Sequence, residues 1–182
     1  MHLLYYICIG QRISEGNGNV PFSFIAMASE TQIQVITGMV QELLQADPHC
    51  FLVDLWIKPT NNIRVALDAD QGLPIEKCVA LNRKLYKQIE EAALYPEGDF
   101  SLEVSSPGLD EPLKMHRQYV KNISRSVEVL QQDGKITEGV LTAVHENEIE
   151  VAETIGKTKT KEVVQHTIPF INIKSTKIQI KF

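Results

Sequence analysis

Apolar residues return along this chain with a helical period, then with a period of two, then with a helical period again. Ile33, Ile36, Val40, Leu43 and Leu44 share one helical face. Met27-Ala28-Ser29 opens that helix, with Ser29 as N-cap and Gln32 at the capping-box position, and Asp47-Pro48 closes it. Phe51, Val53, Leu55 and Ile57 alternate, and so do Ile63, Val65 and Leu67. The turn residues Pro59-Thr60-Asn61-Asn62 between them predict a hairpin. Gln71-Gly72-Leu73-Pro74 interrupts the chain, with Pro74 suited to the first turn of a second helix. Ile75, Cys78, Val79, Leu85, Tyr86 and Ile89 line one face of that helix. After a loop at Pro96-Glu97-Gly98, Phe100, Leu102 and Val104 predict a third strand. The order is αββαβ, a small layered α/β unit.

Beyond Pro112 the pattern changes. Lys114 to Val120 reads as a short helical connector, and the segments after it are short and rich in β-formers. Val127-Glu128-Val129-Leu130 leads into Asp133-Gly134, a hairpin signal. Further strands are expected over 136–144, 149–151, 159–166 and 177–182, with a helical turn at Ile168-Pro169-Phe170. Strands this short and close predict a small barrel of SH3-like size. The fold class is therefore α+β in two domains, residues 27–112 and 113–182. Residues 1–26, ending in a polar glycine-rich stretch, read as a poorly ordered upstream extension before a start at Met27.

Charge sharpens this division. Residues 27–112 carry six Lys and Arg against fourteen Asp and Glu, whereas residues 113–182 carry eleven against eight. Such asymmetry points to two domains that face different partners. The whole chain has a net charge of −5, which argues against avid non-specific binding to nucleic acid. No apolar run reaches the roughly 20 residues a membrane helix needs. Cys8, Cys50 and Cys78 are odd in number and widely spaced, so neither a disulfide framework nor a zinc knuckle is expected. His49, His116, His145 and His166 lack metal-ligand spacing, and Asp68 and Asp70 read as solvated strand-end acids. No phosphate-binding or dinucleotide loop is present, so no cofactor is expected. Ser105, Ser106, Asp110 and His116 lie close in sequence, but no nucleophile elbow frames them, and no catalytic residue is assigned.

The segment from Leu102 to Asp110 begins as a strand and stops at Ser105-Ser106-Pro107-Gly108. Proline followed by glycine fits a type II turn, in which Gly108 would supply a positive φ, and the two serines can satisfy backbone groups leaving the sheet. Together with Glu111-Pro112-Leu113, this segment resembles the signature of the bacterial ribosome maturation factor family RimP. Asp68 to Gly72, Cys78 and Arg83 are similar to that family's strand-to-helix segment. Arg117-Gln118-Tyr119, Val127 to Leu130, Glu138 to Leu141, Glu162 to Val164 and Ile168 to Phe170 resemble its second domain. Three positions depart: Glu111 stands where the family often has a basic residue, Ser124 where it often has glycine, and Asn82 where it has serine.

The resemblance implies a cytoplasmic, non-enzymatic assembly factor that acts on the small ribosomal subunit, and a monomer is expected. Its partners would be a basic small-subunit ribosomal protein and rRNA. Lys157, Lys159 and Lys161 alternate along a predicted strand, which suits either a ladder for phosphates or the protection of a sheet edge. The resemblance favours rRNA. Lys114, Arg117, Lys121 and Arg125 form a second candidate rRNA cluster at the domain junction. Asp54, Asp68, Asp70, Glu103, Asp110 and Glu111 are candidates for attracting a basic protein. Ser105, Ser106, Pro107 and Gly108 form the interdomain turn. A stand-alone RNA-binding module of Sm or SH3-like type is the alternative, although aromatic residues are only 7%.

Overall fold

The computed structural model describes residues 22–108, 110–156 and 162–180, with side chains from residue 30 onward. The N-terminal part follows the expected αββαβ order: α1 (Phe22–Leu44), β1 (Cys50–Lys58), β2 (Asn62–Ala69), α2 (Ile75–Glu91) and β3 (Ser101–Ser105). β1 and β2 form the predicted antiparallel hairpin, and β3 pairs with β2 in parallel. A parallel neighbour needs a long crossover, which α2 supplies. Both helices lie on one face of the sheet, over Ile63, Val65 and Leu67 of β2. Ile36 and Val40 of α1 and Leu81, Leu85 and Ile89 of α2 complete the core.

Several local expectations change. The first helix begins at Phe22, so Ser29 lies inside it rather than at its N-cap. The segment from Phe22 to Ala28 holds no helix breaker, so nothing stops helical propagation there. The expectation for residues 1–21 falls outside the described residues. On α2 the buried stripe is Leu81, Leu85 and Ile89. Ile75, at the helix start, is 77% exposed, and Val79 and Tyr86 are also exposed. In β1 the register slips between Leu52 and Asp54, which leaves Val53 in a bulge. A bulge re-aims the side chains on either side of it. Leu52, Leu55 and Ile57 therefore pack on the core, while Phe51 turns to the other face of the sheet.

The C-terminal part holds α3 (His116–Lys121), then β4 (Ser126–Gln131), β5 (Ile136–Val144), β6 (Glu148–Ile155), β7 (Glu162–Pro169), a 3-10 turn at Phe170–Asn172, and β8 (Ile173–Ile178). All pairings are antiparallel, in the order β7-β6-β5-β4-β8. Among the described residues no hydrogen-bonded ladder joins β7 to β8, so the ring of a closed barrel is not completed by strand pairing. Val127, Val129, Leu141, Ile149, Val151 and Ile168 form a second core with Tyr119 of α3. The last strand lies earlier than the apolar pattern indicates, because its inward position is Thr176, fully buried like Thr137. A threonine at a core position conceals the alternation.

Two special backbone positions follow from the fold. Gly134 closes the β4–β5 hairpin at φ +87°, as the Asp-Gly pair predicts. Ser124 holds φ +74°, a conformation that favours glycine, and its N–H donates to Leu141 O at 2.8 Å. Gly108, by contrast, does not have a positive φ, so the type II turn expected at Pro107-Gly108 is not formed. The chain reverses slightly later, with Glu111 N–H donating to Gly108 O at 3.0 Å. Proline still makes the exit from β3 rigid, but the turn is shifted toward the acidic pair Asp110-Glu111.

Candidate functional site

The connector between the two sheets gathers most of the charged residues that the sequence singles out. Leu113 N–H donates to Thr176 O at 2.8 Å, which ties the end of the connector to β8. Helix α3 follows at once. The side chain of Gln118 accepts from the N–H groups of Lys114 and Met115 at 2.8 and 3.0 Å, capping the helix start. Tyr119 packs into the C-terminal core, edge-on to Phe170 with ring centroids 5.1 Å apart. With Tyr119 turned inward, Lys114, Arg117 and Lys121 project the other way. Arg117 and Lys121, four residues apart, share one face of α3, and Lys114 reaches the same side from the extended segment just before the helix.

That face meets β1 and β2. Lys114 pairs with Asp54, Arg117 with Asp70, and Lys121 with Asp68. The Arg117 pair is bidentate, with Nε to Oδ1 at 2.9 Å and Nη2 to Oδ2 at 2.7 Å. Nη2 also donates to Pro48 O at 2.8 Å, and the guanidinium lies 4.4 Å from the centre of the Phe51 ring. These Arg117 contacts, reinforced by His49, hold the Asp70 carboxyl below the usual carboxylate range and raise Arg117. Asp68 sits on the face of β2 opposite the core and is 5% exposed. It accepts from Ala69 N–H at 2.8 Å and receives Gln118 Nε2 at 3.4 Å.

Three residues proposed for rRNA and three proposed for protein contact are thus partners of one another. The structure brings Lys114, Arg117 and Lys121 against Asp54, Asp68 and Asp70, and their first contact is the junction itself. Arg125 is exposed and lines a cavity beneath the connector, with Asp68, Ser106, Glu111 and Lys121. Lys157, Lys159 and Lys161 lie outside the described residues. Glu103 pairs with Arg64 at 2.8 Å on the outer face of the N-terminal sheet. Asp110 and Glu111 are exposed, and neither has an ion-pair partner among the described residues.

The other candidates are engaged in structure. The ring of His116 is held by His145 O at 2.9 Å and lies 5.9 Å from Phe170. Asn82 Nδ2 donates to Leu102 O at 3.2 Å, fastening α2 to β3. Among the described residues no group of three His, Cys, Asp or Glu is placed to hold a metal ion. No described helix is long and apolar enough to cross a membrane. Sequence reasoning missed Phe51 and Gln118 at the junction, and Trp56 on the outer sheet face. The bulge hid Phe51. Trp56 was legible, because alternation put it opposite Leu55 and Ile57, where an indole is conspicuous.

Comparison with known proteins fits this architecture. Residues 39–110 match the family model described as the RimP N-terminal domain. A ribosome maturation factor RimP from Christiangramia forsetii is 31% identical over 153 residues, which cover 81% of this chain and 97% of the relative. The corresponding protein of Cytophaga hutchinsonii is 36% identical over 142 residues, covering 75% and 84% of the two chains. That of Porphyromonas gingivalis is 37% identical over 130 residues, covering 68% and 83%. The relatives match over 68–81% of this chain, and the chain belongs to the RimP family of ribosome maturation factors.

Proposed function

We propose that this protein acts in the cytoplasm as a monomeric, non-catalytic maturation factor of the small ribosomal subunit, binding the subunit or its precursor through a basic ribosomal protein and rRNA. The observation that carries this reading is the similarity over 97% of the length of a relative named for ribosome maturation. The charge division supports two kinds of contact. In this reading residues 27–112 form the acidic N-terminal domain that meets the ribosomal protein. Residues 113–182 form a C-terminal domain of SH3-like type that meets rRNA, through Arg125 and the Lys157, Lys159 and Lys161 ladder. Two modest contacts on one particle reinforce each other through effective concentration. The ion-paired junction and the proline-stiffened connector would hold the two contact faces in a fixed relation.

Co-sedimentation of the purified chain with isolated small subunits, assembled ribosomes and bare rRNA, across a salt series, tests this function. Binding to the free small subunit but not to assembled ribosomes is the expected result, with a salt slope that falls when the three ladder lysines are changed to Glu. Equal binding to bare rRNA would replace it with a plain RNA-binding module.

A further inference from the structure

The acidic residues expected to attract a protein do not form one surface. Asp68 and Asp70 face α3 at the junction. Asp54, Glu103, Asp110 and Glu111 instead border a groove of about 320 Å³ between the outer face of the N-terminal sheet and the connector.

Strand register explains the shape of this groove. Trp56, Arg64 and Glu103 lie side by side across β1, β2 and β3, and Asp54, Ala66 and Ser105 form the next row. Neighbouring strands are about 4.8 Å apart, so each row is about 10 Å wide. The middle residue of the second row is alanine, which leaves a low floor between taller neighbours. Pro107, Gly108 and Pro112 supply the opposite wall. Trp56 stands at the rim and is 37% exposed, so its ring is open to a partner.

The charges select the occupant. Arg64 is neutralised by Glu103, and Lys114 by Asp54. Asp110 and Glu111 have no ion-pair partner among the described residues, so the groove keeps two uncompensated negative charges. Among the described residues that line this groove both cations are already paired, and Arg125 lies in the neighbouring cavity, so phosphates of an RNA strand would meet these acids. A guanidinium or ammonium group fits: it can lie over the indole face and pair with a carboxylate. We propose that this groove is a docking site for an extended, arginine-bearing segment of a basic protein, with Trp56 as the aromatic anchor and Asp110 and Glu111 as the counter-charges. The inference rests on the assembly-factor reading for the identity of that protein class, and on the groove alone for its chemistry.

Trp56 is the only tryptophan in the chain, so its emission reports on the groove without background. The full-length chain would be titrated with a short arginine-rich peptide at low salt. A saturable change in Trp56 emission is expected, and D110N/E111Q should weaken binding roughly tenfold. A control, E90Q/E97Q, removes the same charge from exposed sites elsewhere and should leave the affinity unchanged. No saturable change, equal weakening by both double variants, or a response to single-stranded RNA in place of the peptide would each overturn the proposal. Sedimentation with small subunits is scored separately. Subunit binding without the peptide response refutes the groove alone, whereas the peptide response without subunit binding refutes the ribosomal assignment alone.

Discussion

Lys121→Met and Asp68→Asn remove opposite ends of the same junction ion pair, and the structure makes their costs unequal. The Asp68 side chain is 7% exposed and that of Lys121 is 21% exposed. Removing the lysine orphans a buried carboxylate, which in a fully enclosed site costs about 3–5 kcal/mol. Here Asp68 keeps the Ala69 N–H and borders a polar cavity, which reduces the expected loss to about 2–3 kcal/mol. Removing the acid is milder. An asparagine oxygen still accepts from Ala69 N–H, and the freed ammonium can turn toward water, so about 1 kcal/mol is expected. The double variant leaves no orphaned charge and should cost less than Lys121→Met alone. Urea denaturation at neutral pH, followed by Trp56 emission and far-ultraviolet circular dichroism, measures all three. In thermal melts Lys121→Met should lower Tm by about 5–10 °C. Equal costs for the two single variants, or a double variant that equals their sum, would refute the reasoning.

Two further outcomes follow from named contacts. The Arg117 pair holds the Asp70 carboxyl below its ordinary value, so its contribution is complete above the unfolded pKa near 3.9 and is lost as pH falls through the lower folded value. A Tm-against-pH series should therefore show a constant contribution from this pair between about pH 5 and 8, and a shallower acid limb in Asp70→Asn than in the parent; identical acid limbs would count against it. At Gly139 an added Cβ would stand 2.4 Å from Ala152 O and 2.8 Å from Val151 Cγ1, so Gly139→Ala should destabilise the C-terminal sheet by about 1–3 kcal/mol. An unchanged melting curve would contradict that crowding.

The sequence by itself determined the αββαβ order, the hairpins at Asn61 and Gly134, and the short helix before the C-terminal strands. Each of these depends on local chemistry: a hydrophobic period, a turn residue or a helix signal. It also carried the family signature and exposed the charge division. Tertiary structure decided what the charges do. Nothing local in Asp68 or Lys121 shows that one becomes nearly buried beside the other, because 53 residues separate them and only the docking of α3 onto β2 joins them. The bulge at Val53 likewise reversed the faces of Phe51 and Leu52, since register is set by the partner strand and not by alternation alone. For the same reason Trp56, Ala66 and Glu103, distant in sequence, became neighbours around one groove. Local periodicity fixes which elements form, while charge pairing, burial and groove shape depend on which elements meet.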